Sequence, residues 1–78
     1  LLHLSPTEWI IITLCIGLVL AAEAVNSAIE ALADRVSAEY DEAIKRTKDL
    51  AAGAVLLLAI ASAIVGLIIF LPKLIALT

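Results

Sequence analysis

Leu50-Ala-Ala-Gly-Ala-Val-Leu-Leu-Leu-Ala-Ile-Ala-Ser-Ala-Ile-Val-Gly-Leu-Ile-Ile-Phe-Leu71 holds no charged residue and runs into Pro72-Lys73. As a helix it rises about 33 Å, at about 1.5 Å per residue, and a hydrocarbon core is about 30 Å thick, so this segment spans a membrane. A second uncharged run, Trp9 to Ala22, precedes it. That run rises only about 21 Å, so the helix must continue past Glu23 before it leaves the bilayer. With Trp9 at one interface, Glu23 sits near or just under the other, a costly place for a carboxylate unless it has a use. Ser5-Pro6-Thr7-Glu8 supplies the start: Ser5 as N-cap, Pro6 at the first helical position and Glu8 closing a capping box.

The whole composition agrees. Of 78 residues 64% are hydrophobic and 17% charged, with a mean hydropathy of +1.18. A soluble chain of this size would leave most of those aliphatic side chains in water. The formal charge of −3 and pI near 4.8 leave no basic stripe for a phosphate backbone, which excludes nucleic acid as a partner. Cys15, the one cysteine, lies in an apolar run, where a thiol packs as a small hydrophobe, so disulfides and redox chemistry drop out. The chain opens on leucine, with no signal-peptide order ahead of the first helix, and reads as a fragment that forms one unit.

These features predict an all-α membrane protein, a transmembrane helical hairpin with helix A over residues 6–34, a connection over 35–47 and helix B over 48–71. The strip from Asp34 to Asp49 holds Arg35, Lys45, Arg46 and Lys48, four of the five basic residues, and the opposite ends offer only Lys73. The positive-inside rule makes the strip cytoplasmic. Its acids, among them Glu39, Asp41 and Glu42, also suit a solvated amphipathic turn of helix. Alanines such as Ala22, Ala33, Ala51 and Ala63 permit close helix packing, within or between chains.

Glu23, Asn26, Ser27, Glu30 and Asp34 recur at helical spacing and project from one side of helix A. A stack of acids repels itself unless a cation neutralises it. Hard oxygen donors without a His or Cys partner suit Mg²⁺, which keeps waters and takes one or two carboxylates with substrate phosphates, and that implies nucleotide chemistry. Lys48 and Asp49 meet the same zone when the hairpin closes. Taken on spacing alone, Glu30 and Asp34 are as readily solvated acids as functional ones, whereas the depth of Glu23 and Asn26 favours function. Lys48 alone reads as a snorkelling anchor, Tyr40 and Trp9 as aromatic-belt residues and His3 as a loop residue.

Glu23-Ala-Val-Asn26-Ser-Ala-Ile-Glu30-Ala-Leu-Ala-Asp34-Arg35, then Glu39-Tyr40, then Lys48-Asp49-Leu50-Ala-Ala-Gly-Ala-Val-Leu, resembles the prokaryotic diacylglycerol kinase and undecaprenol kinase family over almost the whole chain. The pattern E-x-x-N-[ST]-A-I-E-x-x-x-D followed by K-D at the next helix is far more specific than a lone glycine loop. The resemblance implies a subunit of three transmembrane helices and a surface helix, residues 1–78 being a partial domain that carries the second and third. It implies a homotrimer in the bacterial inner membrane, with ATP, Mg²⁺ and a lipid alcohol meeting at the cytoplasmic interface. By the same resemblance Glu23 is the general base, Glu30 a metal ligand and Asn26 an orienting group. Glu39, Tyr40, Lys48 and Asp49 surround the nucleotide, and Asp34 supports them. Asp41 stands where family members often have His, which leaves a backbone contact to the nucleotide. Phosphoryl transfer demands alignment, a metal across the phosphates and a placed base, without a covalent intermediate, and these residue types supply that.

Two other classes compete. A rotor-ring proteolipid is also a hairpin with a membrane carboxylate, but such proteins resemble one another in a glycine repeat on the first helix and an acid in the middle of the second; here Leu50–Leu71 holds no acid and the chain has three glycines. A non-catalytic hairpin that only oligomerises through its alanine-rich faces is the other. Between the acceptors diacylglycerol and undecaprenol, the ending Gly66-Leu-Ile-Ile-Phe70-Leu-Pro72-Lys73 leans toward undecaprenol.

Overall fold

The computed structural model describes residues 3–36, 39 and 41–78. It is a hairpin of two helices, α1 from Pro6 to Val36 and α2 from Glu42 to Leu77. The long dimension is 55 Å, matching the 36 residues of α2 at about 1.5 Å each. The capping box forms as the sequence predicts: Glu8 N–H donates to Ser5 Oγ at 3.1 Å, and Ser5 N–H donates to Glu8 Oε1 at 2.9 Å.

Helix α2 departs from the expected 48–71 at both ends. It starts six residues earlier because Asp41, in extended backbone, accepts at one carboxylate oxygen from the N–H groups of Ala43 (2.9 Å) and Ile44 (3.1 Å). Asp41 is an N-cap, and much of the charged strip is the first turns of a helix. At the other end α2 runs through Pro72 to Leu77. Proline removes one N–H, which leaves the Ile68 carbonyl without its helical donor but lets the remaining turns form. Thr78 then closes the helix, its N–H and hydroxyl both donating to the Ile75 carbonyl. The hydroxyls of Thr13 and Thr47 are satisfied within their own helices, by the carbonyls of Trp9 and Ala43.

On α1 the covered positions are Glu8, Ile12, Cys15, Val19, Ala22, Asn26, Ile29 and Ala33, and on α2 they include Ile44, Lys48, Ala51, Val55, Leu58, Ser62, Val65, Ile69 and Lys73. Both series step by four and three residues in turn, up to Ile69 on α2, the spacing of a seam between two helices that cross at a shallow, left-handed angle. Among the described residues Ala33 and Ile69 are the buried hydrophobic ones, while Leu50 and Leu57 are each 70% exposed. An apolar exterior of this extent is that of a membrane protein whose solvent is lipid.

Two ion pairs set the register. Lys73 Nζ lies 3.1 Å from Glu8 Oε1 at the far end of the hairpin, and Lys48 Nζ lies 2.6 Å from Asp34 Oδ1 at the end near the connection. Both pairs fit one antiparallel alignment, which brings Glu23 level with Leu58–Ala59, Asn26 with Val55–Leu56 and Glu30 with Ala51–Ala52.

Candidate active site

Three of the residues singled out on α1 project from one flank. Glu23, Glu30 and Asp34 each stand one position beyond a seam residue (Ala22, Ile29, Ala33), about 100° round the helix from it, and all three are exposed. Glu23 and Glu30 are two turns apart, about 10.5 Å along the axis, so they act as separate groups. No ion pair reaches either of them among the described residues.

Asn26 is not on that flank. It belongs to the seam, half-buried against α2, and its Oδ1 is buried without a hydrogen-bond partner. A buried polar atom left unpaired costs about 1–3 kcal/mol, so a donor or cation that reaches it gains that much of the interaction. From Asn26 the Glu23 and Glu30 carboxylates stand one turn away to either side.

Across the seam α2 contributes the cation. Lys48 occupies a seam position with its side chain one-third exposed and donates to Asp34; its ammonium also lies within the field of Glu30. Lys45 donates to Asp49 Oδ2 at 2.9 Å one turn along α2, an exposed i,i+4 pair that occupies the Asp49 carboxylate. Glu39 is exposed in the connection. Tyr40 lies outside the described residues. Asp41, expected to contact nucleotide, spends its carboxylate on the α2 N-terminus, and its backbone carbonyl accepts the helical bond from Lys45 N–H at 2.9 Å.

The oxygen donors here are the Glu23 and Glu30 carboxylates on one flank of α1 and, at a level between them but turned into the seam, Asn26 Oδ1. Among the described residues no group of three acids, histidines or cysteines is assembled as a metal cage. Oxygen donors of this kind suit a cation that keeps water and phosphate oxygens in most of its shell, as Mg²⁺ does. Glu30 lies one turn from the Lys48–Asp34 pair.

Local signals existed for what the sequence reading missed. Asp41 ahead of Glu42-Ala43-Ile44 is an N-cap followed by an acid in the first turn. Lys45 and Asp49 are four apart. The Lys48–Asp34 and Lys73–Glu8 contacts have no such signal, since each joins different helices.

The profile of the family described as prokaryotic diacylglycerol kinase matches residues 1–70. The chain belongs to the prokaryotic diacylglycerol kinase family. It is 47% identical over 74 residues to the undecaprenol kinase of Bacillus subtilis, covering 95% of this chain and 60% of that protein. It is 45% identical over 78 residues to a diacylglycerol kinase of Synechocystis, covering 99% of this chain and 45% of that one. The Escherichia coli diacylglycerol kinase matches over 47 residues at 47% identity, 60% of this chain and 38% of the relative. The chain therefore spans 60% or less of the length of these kinase-family relatives. No solved structure matches it.

Proposed function

We propose that this chain carries the reacting side chains of an ATP- and Mg²⁺-dependent lipid kinase that moves the γ-phosphoryl group to the hydroxyl of a membrane lipid alcohol. The observation that carries this reading is the Glu23–Asn26–Glu30 series, two unpaired carboxylates around an orphaned buried oxygen, one helical turn from the only interhelical ammonium described at that end of the hairpin.

In this reading Glu23, nearest the apolar run, accepts the proton of the lipid hydroxyl as its oxygen forms a bond to the γ-phosphorus. The bond from that phosphorus to the β–γ bridging oxygen breaks, and ADP leaves with the electron pair. Glu30 would hold the divalent cation, which supplies charge neutralisation across the phosphates. Asn26 orients the acceptor or the cation with its free Oδ1. Lys48 exchanges part of its contact with Asp34 for phosphate oxygens, while Glu39, Tyr40, the Asp41 backbone and Asp49 border the nucleotide.

The reading extends to a cytoplasmic site in a bacterial inner membrane and to a homotrimer. Relatives named undecaprenol kinase and diacylglycerol kinase match 95% and 99% of the chain at 47% and 45% identity, which supports one of these two lipid alcohols as acceptor.

The test is transfer of labelled γ-phosphate from ATP·Mg²⁺ to mixed micelles of diacylglycerol or undecaprenol, by this chain and by a version extended at its N-terminus to the length of the relatives. A labelled lipid from the extended version supports the reading and identifies the acceptor. If neither version labels any lipid, the kinase reading fails and a non-catalytic oligomerising hairpin takes its place.

A further inference from the structure

The five basic residues divide by type. Each of the three lysines meets a carboxylate: Lys45 with Asp49, Lys48 with Asp34 and Lys73 with Glu8. Arg35 in the last turn of α1 and Arg46 in the first turns of α2 are exposed, and no ion pair reaches either of them among the described residues. In the register set by the Lys48–Asp34 pair the two arginines lie at one depth, within about 1.5 Å of each other along the hairpin. Both face away from the seam. Arg35 stands two positions after the seam residue Ala33 and Arg46 two after Ile44, each about 200° round its helix, whereas Glu30 and Asp34 stand about 100° round from theirs. The arginines therefore serve a different side of the hairpin from the carboxylate row.

We infer that Arg35 and Arg46 form two separate sites for the phosphodiester headgroup of an anionic phospholipid, a role that goes beyond the kinase reading and does not rest on it. Each arginine heads a row of exposed aliphatic side chains on its own face. Leu32, Val25 and Leu18 run from Arg35 into the apolar part of α1, and Leu50 and Leu57 run from Arg46 into that of α2. Arg46 stands four residues, about 6 Å, above Leu50, where the uncharged run begins, which is headgroup depth. A guanidinium presents a planar fork that matches two phosphate oxygens, and no carboxylate among the described residues neutralises either one. Phosphatidylcholine also has a phosphate, but its own ammonium balances it, so an uncompensated arginine at the cytoplasmic surface favours a lipid of net negative charge. A nucleotide carries the same phosphate chemistry without acyl chains, and it makes no use of the aliphatic row below each arginine. Charge at the top and hydrocarbon beneath it together describe a phospholipid.

The test places the natural protein in nanodiscs of equal parts phosphatidylcholine and phosphatidylglycerol and counts, by native mass spectrometry, the lipids that stay bound on release. Phosphatidylglycerol should be retained over phosphatidylcholine by about fivefold at each arginine. Arg35→Gln and Arg46→Gln should each remove one retained phosphatidylglycerol per chain, and the double variant should bring the two lipids to parity. Lys45→Gln, which removes a paired charge at nearly the same depth, should leave the preference within about twofold of the parent. A preference that survives in the double variant overturns the inference. So does an equal loss in Lys45→Gln, because the field of the whole strip and not the two arginines would then hold the lipid. Displacement of the retained phosphatidylglycerol by ATP·Mg²⁺ would also overturn it, by making the arginines a nucleotide site. Circular dichroism checks that helix content is kept. If the glutamine double variant loses helix, Arg35→Lys/Arg46→Lys decides, since it keeps the charge without the fork: its preference should fall by about twofold or more, and an unchanged preference ends the proposal.

Discussion

The two ends of the hairpin are built alike and differ in what surrounds them. Each has one interhelical lysine–carboxylate pair, Lys73–Glu8 at the far end and Lys48–Asp34 near the connection. At the far end the acid is also locked by its capping box, so its charge is satisfied from two sides. At the other end the pair lies one turn from Glu30, and Asn26 with its orphaned oxygen and then Glu23 follow further along α1, neither carboxylate having an ion-pair partner among the described residues. The far end is a closed structural joint. The connection end holds charge it does not neutralise itself, and in the proposed reading a ligand meets that charge.

Substitutions at the two ends sharpen or break that contrast. The largest effect is expected from Glu23→Gln in the natural protein: lipid phosphorylation should fall by about 10²–10⁴, the usual contribution of a placed general base, with assembly on size-exclusion chromatography unchanged. Turnover at the parental rate would remove Glu23 as base. Next comes Glu30→Gln, which should lower turnover by at least the ~10–100-fold that lost support of a bound metal costs, and should raise the Mg²⁺ concentration needed for half-maximal rate. A titration with Mg²⁺ that leaves the midpoint where it was would sink that assignment.

Smaller effects concern structure. Asp41→Ala removes the α2 N-cap and should cost about 0.5–2 kcal/mol in reversible unfolding by denaturing detergent, with hydrogen exchange accelerated at Ala43 and Ile44 and not at Val55. Unaltered exchange at those two amides would show that the helix start does not depend on the cap. The smallest effect is expected at the far end, where Glu8→Gln should lower thermal stability slightly and leave kcat within about twofold, since an ion pair of this kind contributes little. A large loss of turnover in Glu8→Gln would break the contrast between the ends.

Much of the fold was legible because its signals are local. The uncharged runs, the Ser5–Glu8 box and the turn-by-turn spacing of Glu23, Glu30 and Asp34 each lie within one helix, where position follows from sequence separation. The charged strip, expected as a connection over 35–47 whose acids also suit a solvated turn of helix, divides between the two readings. Charge argues against the bilayer but not against helix, so residues 42–47 extend α2 outside the apolar run once Asp41 caps it. Pro72 was taken as the end of helix B, but a proline costs one helical bond and the turns after it form their own.

Asn26 marks the limit. In the sequence it joins the carboxylate arc, offset by three from Glu23 and four from Glu30, and nothing on α1 separates it from them. Only the approach of α2 turns it inward, buries its Oδ1 and leaves the carboxylates outside. The sequence by itself determined two membrane-length helices, where the first begins, and a row of acids on one of its sides, because hydropathy and helical pitch act residue by residue along a single chain. The packing of one helix on the other settles which residues form the seam, that Lys48 meets Asp34 and Lys73 meets Glu8, and that Asn26 turns inward. Those outcomes depend on the register between two helices, and register is set by contacts whose energies belong to neither helix alone.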